Sequence, residues 1–332
     1  MFQNLTRLAL VLSAGLATTA HAQDSVLIGD YAGDRVVKVA FPAGSAQGHF
    51  LGTGMTGLNQ TRGMTYGPDG NLYIASDATD TIIKIDGVTG TPIGTNGIFV
   101  TAAAGGLNQP MGLAFGPDGN LYVASFLTNA IYKYNGTNGN YIDTFVPSGS
   151  GTLAGPYGIA FHNGNLYVCS ASNDKVLRYN GTTGAFIDEV FPAAQNGMNE
   201  PHGIVIDAAG RIYVSALSNA VYVKDPVNGF SILTSSATNG SVTNPHGMTF
   251  SPSGQLLVCC YNSGTVQRID RLTGASLGSL LSGLNGLASM ISIVYMPTTA
   301  PCYVNCDNST ANPILNANDF QCFLNKFAAG CT

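Results

Sequence analysis

The sequence predicts an all-β fold: a six-bladed β-propeller with four antiparallel strands per blade. Three observations carry this expectation. First, a unit recurs. GMTYGPDGNLYIAS from Gly63 is repeated as GLAFGPDGNLYVAS from Gly112, GIAFHNGNLYVCS from Gly158, GIVIDAAGRIYVSA from Gly203 and GMTFSPSGQLLVCC from Gly247. The lead glycines lie 49, 46, 45 and 44 residues apart, and a degenerate sixth copy, SIVYMP, begins 45 residues further on at Ser292. Second, each unit breaks into four short strand signals, which is the size of one propeller blade. Third, the chain opens at Val26-Leu27-Ile28-Gly29-Asp30, which matches the second strand of a blade, and the repeats end at Ile293-Val294-Tyr295, which match a first strand. The two ends should therefore share one blade, which seals the ring and leaves no open seam.

The strands follow in order within a unit. Leu113-Ala114-Phe115 is the first apolar run, and a Pro-Asp-Gly turn supplies the positive φ a tight hairpin needs. Leu121 to Ala124 is the second strand and Ile131 to Tyr134 the third. The turn Asn135-Gly136-Thr137-Asn138-Gly139 leads to the fourth, Tyr141 to Val146. Two aligned columns support the repeat. Gly29, Ala75, Ala124, Cys169, Ser215 and Cys259 are all small, as crowding near the axis requires. The third strands carry Lys38, Lys84, Lys133, Arg178, Lys224 and Arg268. That ring reads either as support for the blades, with long stems covering sheet edges, or as a charged face for an acidic partner.

Residues 1–22 read as an export signal. Arg7 gives a positive start, Leu8 to Leu16 a short apolar run, and Ala20-His21-Ala22 a small-x-small cleavage site. No later stretch is long enough to span a membrane. Without Arg7 the chain has 12 basic and 18 acidic residues, a net charge of −6, which speaks against nucleic acid and anionic membranes as partners. A secreted or surface-held monomer is expected. Residues 23–297 form the propeller, 298–301 a linker and 302–332 a cysteine-rich tail.

The repeat resembles the NHL-repeat and gluconolactonase/regucalcin-like six-bladed propellers, over about residues 24–297. G-P-D-G-N-L-Y-V-A-S specifies the blade and not an activity. The resemblance implies that the residue before each lead glycine stands at one mouth of the central channel. Those residues are Arg62, Met111, Tyr157, His202, His246 and Ile291. Arg62, Met111, Tyr157, His202 and His246 are the candidate ligand-binding set. In lyases of this resemblance, Pro-His-Gly turns present histidines at the pore, so His202 and His246 are the candidate catalytic pair. A zinc site wants three protein ligands, and only two histidines stand here, so zinc is not expected. The lactonase-type cation site is not supplied either, because no residue of the pore column is Asn, Asp or Glu. Cys169, Cys259 and Cys260 read as small buried hydrophobes.

In the tail, Phe320, Phe323, Leu324 and Phe327 fall on one face of a short helix. Asp307, Ser309, Asn312, Asn316 and Asp319 supply hard oxygens at calcium-loop spacing. Leu-Asn-x-x-Asp-Phe is similar to half of a dockerin. The phrase through Phe-Ala-Ala-Gly-Cys resembles the dockerin-like tail of exported planctomycete proteins. That resemblance implies a calcium ion and a cohesin-like or envelope partner. Cys302, Cys306, Cys322 and Cys331 read as disulfides in one of three connectivities, and these could staple the tail without an ion. Three functions remain: a tethered binding or scaffold module, a propeller lyase or hydrolase working through His202 and His246, or a structural envelope component.

Overall fold

The computed structural model describes residues 24–296 apart from 55, 56, 194, 240, 241, 282–286 and 288. The export signal, the linker and the tail, with its calcium and disulfide candidates, lie outside the described residues. Within them the chain forms six four-stranded antiparallel sheets. Their inner strands are Thr61–Tyr66, Pro110–Phe115, Pro156–His162, Pro201–Ile206, Pro245–Phe250 and Met290–Met296. Each packs against the next around a closed ring. The first blade is built from both ends of the chain: Met290–Met296 pairs with Ser25–Asp30, with Val26 opposite Tyr295 and Ile28 opposite Ile293. We number the blades from this one. No helix among the described residues is long and apolar enough to cross a membrane.

The crowding at the axis has a specific origin. A Cβ on Gly63, Gly112, Gly158, Gly203 or Gly247 would run into the carbonyl oxygen of Met111, Tyr157, His202, His246 or Ile291 on the next inner strand. The small column lies just outside. Ser215 Oγ accepts from Gly203 N and donates to the His246 carbonyl, and the buried Cys169 and Cys259 lie under the backbone of the following blade. In the first blade the arrangement is exchanged. Ser292 stands in the lead-glycine position, and its partner in the small column is Gly29, where a Cβ would overlap Ser292 Oγ. Each pair thus holds one glycine and one small side chain. Cys169, Cys259 and Cys260 are buried free thiols, as their column suggested.

Seams between blades are tied by side chains that the sequence reading passed over. Asp34, Asp80, Asn129, Asp174 and Asn219 all occupy left-handed turns, with φ of 48–59°. Asx residues tolerate that region because the short polar chain can bond to backbone. Each accepts a hydrogen bond from the next blade, at Gln60 N (2.6 Å), Gln109 N (2.7 Å), Gly155 N (2.6 Å), Glu200 N (2.8 Å) and Asn244 N (2.7 Å). Gly264, with φ of 59°, fills the same turn in the sixth blade.

Five of the six residues of the basic column bond within the wheel. Lys84 pairs with Asp69 at 2.8 Å and Lys133 with Asp118 at 3.0 Å. Arg178 pairs with Asp188, while Lys224 and Arg268 donate to the carbonyls of Val190 and Leu277. The Pro-Asp-Gly-Asn-Leu-Tyr phrase is thereby explained. Asp118 accepts from Asn120, Tyr122 and Lys133, while the ammonium of Lys133 also lies over the Tyr122 ring. Partial burial works against the charge of Asp118, but these bonds outweigh it and lower its carboxyl pKa to about 2.

Two outcomes follow from this packing. Gly29→Ala should destabilise the wheel by roughly 1–3 kcal/mol through overpacking, and adding Ser292→Gly should recover part of that loss, because the new Cβ also meets Thr61 Cγ2. Equilibrium denaturation of the four proteins of this cycle checks it, and simple additivity would refute the exchange. Asp118 contributes stability above the free-carboxylate range that is lost as pH falls from about 4 toward 2. The gap in denaturant midpoint between wild type and Asp118→Asn should therefore be open at pH 7 and close over that window.

Candidate functional site

The pore residues are displayed by a break in each inner sheet pairing. Between Thr61 and Met64 the register against the second strand slips, and the same slip falls between Pro110 and Leu113, Pro156 and Ile159, Pro201 and Ile204, and Pro245 and Met248. In the first blade it falls beside Ile291. Such bulges re-aim a side chain. The bulged residue is therefore the second residue of an inner strand in blades two to six, and not part of the loop before it. It lines the central channel in every blade but the third.

Arg62, Tyr157, His202, His246 and Ile291 line a central cavity of about 110 Å³. Met111 is not in that lining; it is 3% exposed and packs in the apolar cluster between the third and fourth blades. The position after each lead glycine, namely Met64, Leu113, Ile159, Ile204, Met248 and Ile293, forms a second ring around the cavity, and all six are buried. This collar offers polar solutes no partner.

At the mouth the polar groups engage one another. Arg62 binds one oxygen of the buried Asp77 through Nε and a second guanidinium nitrogen, both at 2.8 Å, and donates to Tyr157 Oη at 3.0 Å. The guanidinium also lies over the Tyr31 ring, 4.2 Å from its centroid. Tyr157 stacks on His202 at 4.0 Å, and His246 faces Tyr261 at 5.2 Å. His202 Nδ1 and His246 Nδ1 are 3.0 Å apart, so one carries the proton and the other accepts it. A connected chain of groups thus spans the mouth from the second blade through the fourth and fifth to the sixth.

Burial holds both imidazoles neutral. It lowers His202 well below the usual histidine value, assisted by the nearby His246 and Arg62, and it lowers His246 to about 3, assisted by Arg62. Burial opposes the charge of Arg62, but Tyr157 and Asp77 more than compensate and keep it protonated. Burial raises Tyr157, so its hydroxyl stays an acceptor and donor and not a phenolate. Glu200 Oε2 comes within 4.0 Å of His202 Nε2, away from the Nδ1 that faces His246, and no group of three such residues is placed to hold a metal ion among the described residues. The donor set is thus short of the three ligands a catalytic zinc takes.

Sequence reading brought together four of the five candidates and missed Asp77, Tyr31 and Tyr261. These stand in one column, Tyr31, Asp77, Phe126, Ala171, Leu217 and Tyr261, two places beyond the small column. That column was visible in the repeat, but nothing in the sequence said that it faces the mouth. Asp77 brings a carboxylate to a pore that seemed to have none, and Arg62 engages it. Asp207, by contrast, is held by Arg211 and Arg271 away from His202.

The fold and this site define a six-bladed β-propeller with a self-paired polar mouth. Among solved structures the chain is similar to one from the nidogen/laminin complex, with a TM-score of 0.63, 14% identity, and coverage of 83% of this chain and 99% of that one. It is also similar to a streptogramin B lyase (TM-score 0.58, 14% identity, 82% and 87% coverage) and to virginiamycin B lyase from Staphylococcus aureus (0.56, 14%, 81% and 87%). At this identity the likeness shows the fold alone. No protein-family model and no curated protein matches the chain.

Because the histidines take up protons only on unfolding, acid favours the unfolded chain. Stability should be full above about pH 6.5 and fall as pH drops toward 3. His246→Gln should flatten the upper part of that slope, as read from chemical denaturation at a series of pH values. An unchanged slope would mean that the pair is solvated and charged.

Proposed function

We propose that the chain is a secreted binding or scaffold propeller that engages its ligand with the rings around the channel mouth, and that its C-terminal tail tethers it. One observation carries the reading. Most polar groups of the mouth engage one another, through Asp77 Oδ2 to Arg62 to Tyr157 and through His202 to His246, while Asp77 Oδ1 is buried without a partner among the described residues. A preorganised ring of Tyr31, Tyr157, His202, His246 and Tyr261 is suited to contact through ring faces and edges, as aromatic-rich interfaces are. The cavity of about 110 Å³ is small beside the 300–1,000 Å³ typical of pockets that enclose a substrate. The nidogen/laminin structure shows this fold within a protein complex.

A lyase working through His202 and His246 is the second reading. It is favoured by the neutral paired imidazoles, a form able to accept a proton, and by the two lyases that share the fold. A third reading, a structural envelope component, takes no ligand at the mouth.

Glycan and peptide arrays probed with wild type and with Tyr157→Ala/Tyr261→Ala separate these readings. Binding that drops at least about tenfold in the double variant supports the binding module. Binding that is indifferent to it removes the mouth as the site. Turnover of a streptogramin B that is abolished by His246→Gln would establish the lyase, and one equivalent of zinc lost on His202→Ala would overturn the self-paired mouth.

A further inference from the structure

The histidine pair shares one hydrogen bond, and its surroundings decide which ring donates it. His202 Nδ1 and His246 Nδ1 are 3.0 Å apart, and both rings are neutral. A neutral imidazole carries a single N–H. The ring that donates through Nδ1 therefore leaves its Nε2 as a bare lone pair, while the ring that accepts bears Nε2–H. The pair thus has one donor and one acceptor at its two Nε2 atoms. Two arrangements are open, and they differ in which histidine plays which part.

One group breaks the tie. Glu200 Oε2 lies 4.0 Å from His202 Nε2, whereas the ring of His246 faces that of Tyr261 at 5.2 Å. A carboxylate attracts an N–H and repels a lone pair. Tyr157 covers the face of His202 and not its edge, and the Arg62 guanidinium is drawn to Asp77 and to Tyr157 Oη. Glu200 is also held in place by its backbone. Its φ is 47°, its N donates to Asp174 Oδ1 at 2.8 Å, and its carbonyl accepts from Leu217 N at 3.3 Å. The same position in the other blades holds Gln60, Gln109, Gly155, Asn244 and Ser289, so Glu200 is the one charged member of its column.

We propose that Glu200 is a positioning residue that sets the tautomers of the pair: His202 is protonated on Nε2, His246 is protonated on Nδ1 and donates to His202, and His246 Nε2 is left as a hydrogen-bond acceptor. His246 lines the central cavity, so the acceptor belongs to the channel mouth. A ligand of the mouth then brings an O–H or N–H to His246, and a bare carboxylate is disfavoured there. This specificity rests on the binding reading given above, whereas the tautomer assignment does not.

Nitrogen-15 spectra of the imidazoles in the full chain at pH 7 read each ring nitrogen as N–H or bare, with His202→Gln and His246→Gln assigning the signals. His202 Nε2 and His246 Nδ1 should be the protonated atoms, favoured at least about tenfold over the reverse arrangement. Glu200→Lys should invert the assignment, since a cation attracts the lone pair; its denaturant midpoint reports that the wheel is intact. A Glu200 that served the fold alone would leave the shifts of a folded variant unchanged. A bare His202 Nε2 in wild type, or the wild-type assignment in folded Glu200→Lys, overturns the proposal. Acetamide and acetate, added separately to wild type, then probe the mouth. Acetamide should move the His246 Nε2 signal and acetate should not. Movement by acetate alone overturns the specificity, while movement by neither removes the binding reading and leaves the tautomers standing.

Discussion

The constraint on which the rest depends is the close approach of six inner strands around one axis. Backbone meets backbone there, so five lead positions are glycine, and the sixth is a serine only because its neighbour Gly29 yields the space. The same crowding makes the next column small and buried. Five of the six bulged residues line the channel, and Met111 turns into a seam instead.

Polar side chains are spent on the seams and on the hairpin turns within blades. Asx side chains in left-handed turns fasten five seams, and the lysines of the third strands are consumed by Asp69 and Asp118 beneath the hairpin turns. Ion pairs at partly exposed sites contribute little each, but these two fix the turn before the second strand in the second and third blades. This explains how a chain with only 9% charged residues maintains its order.

At the mouth, burial and mutual pairing act together. Two imidazoles sharing one hydrogen bond cannot both be charged without setting two donors head to head. Arg62 therefore remains the one cation among them, and it is anchored by Asp77 and capped by Tyr31.

The sequence by itself determined the blade, the number of blades and the sharing of the first blade by the two chain ends. Each of these follows from local periodicity, turn chemistry and a count of strands. It also named the column that reaches the pore, because a lead glycine marks its neighbour. Only the tertiary structure decided which members of that column meet. Met111 turns into a seam while Arg62 crosses to Tyr157, and Asp77, Tyr31 and Tyr261 arrive from a column of mixed chemistry that no pattern distinguishes. The physical reason is range. Strands and turns are fixed by neighbours a few residues apart, whereas the mouth is assembled from residues on separate blades whose directions are set by bulges and packing across the ring.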